Sequence, residues 1–206
     1  MIDNAPIAGG LPPIVIVLIG PSGVGKDSVI DRLVEDGVAL VRPATMTTRD
    51  PRPGEVEGTH HYFVSREEFE REFAADELLE RNAFQGNLYG VPRRSVRGAL
   101  ATGKHVVLRV DVNGAESLRG PLPDALFLSL EPESIEVLRR NLQRRGTETA
   151  EQIESRLATA RDEMTRAREF CVVVVNVEGD LAATVAAVRT LIEHERARPG
   201  RVAVRI

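Results

Sequence analysis

The sequence predicts an α/β fold in which a parallel sheet is covered by helices on both faces, with a subdomain inserted beside it and a helical lid. Three observations carry this reading. Short apolar runs at 14–19, 105–110, 125–130 and 171–175 are strand-sized and too short for helices. Segments with helical periodicity separate them, the alternation expected of parallel strands joined by crossover helices. Residues 43–94 break that rhythm with turn residues and short mixed pieces, as an insertion between two core segments would.

In order along the chain, a leader at 1–13 carries Gly9-Gly10 and Pro12-Pro13 and lacks the basic region and long apolar core of a signal peptide. The run at 14–19 leads into Gly-Pro-Ser-Gly-Val-Gly-Lys-Asp-Ser at 20–28. Val29, Ile30, Leu33 and Val34 then fall at helical spacing, and Gly37 suits a helix end. Within the insertion a short helix is expected over 65–74, with strand-like pieces near Tyr62 and Leu78. Further helices are expected after Pro92, after Asn113, over 133–144, from about 149 to 170 and over 180–196. Thr149 with Gln152, and Ser65 with Glu68, have capping-box spacing. The core is thus 14–42 plus 95–196, the insertion 43–94 and the lid 141–155. A tail at 197–206 alternates loosely, as either a frayed end or a subunit contact would.

Bulk properties narrow the function classes. At 206 residues, 42% hydrophobic and 28% charged, the chain is long enough for one sizeable core. A net charge of −4 without a long basic run argues against nucleic acid or a membrane surface as the main partner. No apolar run approaches the roughly 20 residues that span a bilayer. The single Cys171 cannot form an internal disulfide and reads as a small buried hydrophobe in a reducing compartment. A cytoplasmic protein, monomer or homodimer, is the expectation.

The chemistry is concentrated at 20–28. Gly20 and Gly25 bracket four residues and precede Lys26, so the backbone can curl with its N–H groups toward a polyphosphate while the lysine reaches its outer oxygens. The helix that follows adds the positive end of its dipole. Only Lys26 and Lys104 are lysines among 27 basic residues, yet a lysine stands where this P-loop wants a compact charge on a flexible stem. Asp27 occupies the position where a Ser or Thr hydroxyl normally holds magnesium. Phosphoryl transfer also needs mobile positive charge, and two arginine clusters offer it: Arg49 with Arg52, and Arg144 with Arg145, backed by Arg156. His60, His61, His105 and His194 show no metal-ligand spacing with Cys171.

The loop, together with Thr-Thr-Arg-Asp-Pro-Arg-Pro-Gly-Glu-Val-Glu-Gly at 47–58, Phe84 to Gly90, Asp111-Val112-Asn113-Gly114, Arg145 to Thr149 and Val175-Asn176, resembles the guanylate kinase family of nucleoside monophosphate kinases from about 14 to 194. The resemblance implies ATP and a small phosphorylated acceptor, GMP or dGMP, as substrates, with Mg2+ accompanying ATP. It implies an ATP-binding set of Gly20, Ser22, Gly23, Val24, Gly25, Lys26, Asp27, Ser28 and Asn176. The implied acceptor set is Thr45, Arg49, Arg52, His61, Glu80, Tyr89 and Arg109, with Glu80 accepting hydrogen bonds from guanine. Lys26, Arg49, Arg145 and Arg156 would stabilise the transferring group, and Asp27 and Asp111 would meet the metal.

Several positions depart from that pattern. Arg109 stands where an acidic residue is expected two places before Asp111, and it could pair with Glu80 or bind an extra anionic group. Val91 replaces a small hydroxyl residue, Asn141 replaces an arginine, and His61 or Tyr62 fills a tyrosine position. The Gly-Lys-Asp-Ser ending also resembles ribose 1,5-bisphosphate phosphokinase. Guanylate-kinase-like domains that bind proteins without catalysis are a third possibility.

Overall fold

The computed structural model describes residues 11–206 apart from Gln85 and Thr147, and the side chains of Phe84 and Arg145 also lie outside the described set. The expected leader at 1–13 therefore falls largely outside it. The central sheet has five parallel strands. β1 (Val15–Ile19) lies in the middle, flanked on one side by β7 (His105–Arg109) and then β2 (Leu40–Val41), and on the other by β8 (Leu126–Pro132) and β9 (Val172–Asn176). Every β1 residue is buried, as a strand covered on both faces must be. One core, with Ile16, Leu18, Leu128 and Leu130, lies beneath α1 (Lys26–Glu35) and α7 (Leu181–Arg196). The other, with Val15, Val17, Ile19 and Leu108, packs on α3 (Arg93–Ala101) and α4 (Val112–Leu118).

A second, four-stranded sheet runs β4 (His61–Phe63), β3 (Thr45–Thr47), β6 (Asn87–Pro92), β5 (Leu78–Phe84), parallel between β3 and β4 and antiparallel elsewhere. With α2 (Arg66–Ala74) it encloses its own small core of Met46, Phe69, Leu78 and Leu88. Ser65 caps α2 by accepting from the Glu68 N–H at 3.1 Å, while the Glu68 carboxylate lies 4.0 Å from Arg71. α5 (Ile135–Arg145) and α6 (Ala150–Ala167) form a helical hairpin around Leu138, Leu142, Ile153 and Leu157. Both halves of the Thr149–Gln152 capping box are formed.

Two local expectations change. β9 is an edge strand, and Val172, Val173 and Val175 are exposed because no further strand covers them. The tail is docked on its own chain: Val204 and Ile206 pack on the second core, and the nearly inaccessible Arg201 side chain pairs with Glu195 at 3.0 Å. Cys171 is half-buried against that core, and burial pushes its thiol up to about 12.

The small sheet rests on few large side chains, so its stability should be sensitive to any one of them. Phe69→Ala removes a fully buried ring from that core. It should lower unfolding free energy by about 3–5 kcal/mol in urea denaturation; a loss below about 1 kcal/mol would show that the sheet does not depend on this core.

Candidate active site

The loop after β1 turns on glycines that nothing larger could replace. Gly20 has φ 142°, and a Cβ there would stand 2.2 Å from the Leu130 carbonyl oxygen of β8. Gly25 caps α1 with φ 97°, and a Cβ there would stand 2.8 Å from Asn176 Nδ2. Lys26 then folds back over the loop, its Nζ donating to the carbonyls of Gly20 at 2.6 Å and Pro21 at 3.1 Å. Asn176, at the end of β9, donates to the Val24 carbonyl at 2.8 Å and is held in turn by the Thr184 hydroxyl at 2.8 Å. Val24 is buried, while Ser22, Asp27 and Ser28 are exposed.

The helical hairpin closes over the loop from the other side. Asn141 donates to the Gly23 carbonyl at 3.3 Å, and Arg156 donates to the Ser22 hydroxyl at 3.1 Å while pairing with Glu148 at 3.3 Å. Arg144 is turned away, bonded to Glu178 at 2.8 Å together with Arg140. Arg145 ends α5, and its side chain lies outside the described residues.

On the second sheet, strand alternation decides which aromatic residue faces the basin. His61 bonds the Thr45 hydroxyl at 2.7 Å, lies 3.8 Å from Glu55 and meets Tyr89 edge to face. Tyr62 points the opposite way, into the small core and beneath Arg94. Arg49 is held by Glu55 in a two-bond fork at 2.7 and 2.6 Å, and the Arg52 N–H also donates to Glu55 at 2.7 Å. Those bonds, Arg49 first, hold the Glu55 carboxyl down to about 2. The Arg52 side chain is exposed. His61 is pushed below its ordinary value by burial and then by the Arg49 charge.

Glu80 and Asn82 share one face of β5, two residues apart, and meet the start of α4. Asp111 caps α4 by accepting from the Gly114 N–H at 2.8 Å and also accepts from Asn82. Glu80 is buried, its Oε2 has no hydrogen-bond partner among the described residues, and burial followed by the Asp111 charge pushes its carboxyl up to about 8. Gly114 keeps this junction open, since a Cβ there would crowd Glu80 Oε2 at 3.3 Å. Val91 points into the second core.

Arg109 is not paired with Glu80. Its Nη1 lies 3.2 Å from Asp27 Oδ2, while Arg42 Nη1 lies 3.1 Å from Asp27 Oδ1. Asp27 is thus bracketed by two guanidinium groups at the carboxyl edge of the sheet. Sequence reasoning passed over Arg42, which follows β2 at that edge, and Glu163. The latter lies two helical turns beyond Arg156 on α6. It is half-buried, and its carboxyl is raised by burial against the opposing influence of Lys26. The nearby Asp111 charge also raises the Glu163 carboxyl, as it raises that of Glu80.

The guanylate kinase family model matches residues 13–195. Guanylate kinase 2, chloroplastic/mitochondrial, of Oryza sativa is 43% identical over 197 residues, 95% of this chain and 69% of that protein. A guanylate kinase of Gloeobacter violaceus is 45% identical over 180 residues, covering 87% of each chain. The crystal structure of guanylate kinase from Anaplasma phagocytophilum superimposes with a TM-score of 0.69 at 28% identity, covering 92% of this chain and 89% of that one. A glycine loop closed by its own lysine, on a fold and sequence shared at this level, places the chain in the guanylate kinase family of ATP-dependent nucleoside monophosphate kinases.

Proposed function

We propose that the protein transfers the γ-phosphoryl group of ATP to GMP or dGMP, giving ADP and the nucleoside diphosphate. The observation that carries this is the loop closed by Lys26 at one end of the sheet edge and a buried carboxyl at Glu80 whose Oε2 has no hydrogen-bond partner among the described residues. The loop amides and Lys26 bind the ATP phosphates, with Asn141, Asn176 and Arg156 holding the loop in shape. Residues 43–94 receive the acceptor, its phosphate on Arg49, Arg52, His61 and Tyr89 with Thr45 fixing the His61 ring, and its guanine on Glu80. Residues 141–155 act as the lid, bringing Arg145 and Arg156 to the transferring group. The acceptor phosphate oxygen attacks in line, so no protein nucleophile is needed.

Magnesium supplies charge neutralisation between the ATP phosphates. The donor set fits it: among the described residues no cluster of three candidate ligands exists, which matches a cation held by one carboxylate and by substrate oxygens rather than by a protein cage. Asp27, exposed beside Lys26, would hold it. Both oxygens of Asp111 accept hydrogen bonds from Gly114 and Asn82, and both oxygens of Asp27 accept from Arg109 and Arg42, so either carboxylate would exchange a partner to take the cation. No described helix is long and apolar enough to cross a membrane, and a cytoplasmic monomer or homodimer belongs to the same reading.

Lys26→Ala should reduce transfer to GMP by at least about a thousandfold with an unchanged circular dichroism spectrum. A fully active variant would sink the assignment. In a coupled ADP assay GMP and dGMP should outrun AMP and ribose 1,5-bisphosphate; preference for the sugar phosphate would favour the second resemblance.

Glu80 gives a pH signature. Guanine N–H donors bind its ionised form, whereas the free protein holds the proton up to about pH 8. GMP affinity should therefore rise about five- to eightfold between pH 7 and about pH 8.5, before the guanine N1–H itself ionises, in a range where the GMP phosphate, with its second pKa of about 6, is already ionised. Glu80→Gln should remove this dependence and weaken GMP about 10- to 150-fold, which calorimetry at the two pH values would read. The linkage to stability has the opposite sign. The folded state holds a proton that the unfolded state releases near 4.5, so Glu80 lowers stability as pH rises toward 8. His105, held near 4 by burial and then by Arg196 and Arg201, opposes this only below its ordinary value of 6.5. Between pH 6.5 and 8 the Glu80→Gln protein should lose less stability than the parent; parallel stability curves would refute the buried proton.

A further inference from the structure

Asp27 and Arg109 lie 82 residues apart in sequence, each is a departure from the family pattern, and they meet across the sheet edge. We propose that Asp27 is the protein's ligand for the divalent cation that accompanies ATP, and that Arg109 is its stand-in counter-ion, released to the substrate phosphates when Asp27 takes the cation. The inference rests on the kinase reading of the site.

A carboxylate directly after the loop lysine would repel phosphate oxygens unless a cation sits with it. Two cations do so in the ligand-free protein, and they are not equivalent. Arg42 also holds Asp31 at 2.7 Å, so it keeps a partner whatever Asp27 does. Arg109 bonds no other carboxylate among the described residues. It projects from the end of β7 beside the first turn of α1, which carries Asp27. Both members of the pair are about half exposed, and exposed ion pairs contribute only a few-fold to an equilibrium. Asp27 can thus exchange a guanidinium for a divalent cation at small cost. The exchange leaves an unpaired arginine beside the loop as phosphate charge arrives there. A merely solvated surface pair would show no such antagonism between Arg109 and the cation.

The test is Mn2+ affinity for the complex of the full-length protein with a non-hydrolysable ATP analogue, read by electron paramagnetic resonance, beside GMP turnover. Asp27→Asn should lower Mn2+ affinity at least about tenfold. Arg109→Gln should raise it about two- to fivefold, by removing the competitor, while lowering kcat for GMP at least about tenfold. Opposite shifts in the metal constant are the expected result. A wild type that turns over GMP, with Mn2+ affinity unmoved by either substitution, overturns this inference and leaves the kinase reading standing. Opposite shifts in a wild type that ignores GMP uphold the pair and overturn the acceptor.

Discussion

The approach of Gly20 to the Leu130 carbonyl is the constraint on which the site depends. At that separation the loop has room for hydrogen and nothing else, so β1 must end in glycine for the chain to turn against β8. The turn sends the next residues around Lys26, whose ammonium closes on the loop's own carbonyls. Asn176 and Asn141 then fasten Val24 and Gly23 from β9 and α5. The loop proposed to receive the ATP phosphates is thereby shaped by the fold itself, so the entropy of ordering it is met by folding rather than by binding.

A second feature follows from the chain's preference for arginine. Around the site five described guanidinium groups are already engaged: Arg49 with Glu55, Arg109 with Asp27, Arg156 with Glu148, and Arg140 and Arg144 with Glu178. These arginines are self-neutralised within the chain. The bidentate Arg49–Glu55 fork uses the same planar geometry that would grip a phosphate, so Glu55 occupies in the free protein the place proposed for the acceptor's anion.

Much of this was legible in the sequence, and the failures have physical causes. The loop, its helix and the Thr149 cap are local, written by a few residues in fixed order. β1, β7 and β8 were visible because burial on both faces makes them continuous apolar runs, β9 because it is valine-rich, and β2, only two residues long, was not visible. Of the second sheet, β4 and β5 showed as strand-like pieces near Tyr62 and Leu78, whereas β3 and β6 did not, since β3 is three residues long and mixes polar with apolar side chains. Arg109 was recognised as out of place, yet its partner was not, because Asp27 lies on another element and no periodicity links them. Val91 looked like a lost hydroxyl and is a core residue. The tail's docking depends on Arg201 finding Glu195 and on two apolar side chains reaching a core formed elsewhere, a tertiary event without a local signature.

The self-neutralised state bears on how such a site would avoid wasting ATP. In the proposed reading, an incoming acceptor phosphate displaces one carboxylate from one arginine, so each exchange trades anion for anion and changes the local charge little. The gain comes from the second charge and extra oxygens of a phosphate dianion, which a carboxylate lacks. Water brings neither, and therefore cannot pull Arg49 from Glu55 or draw the acceptor side into its working arrangement. Discrimination against hydrolysis then arises from the cost of breaking internal ion pairs that only a phosphorylated acceptor can replace, and the lid need not supply all of it.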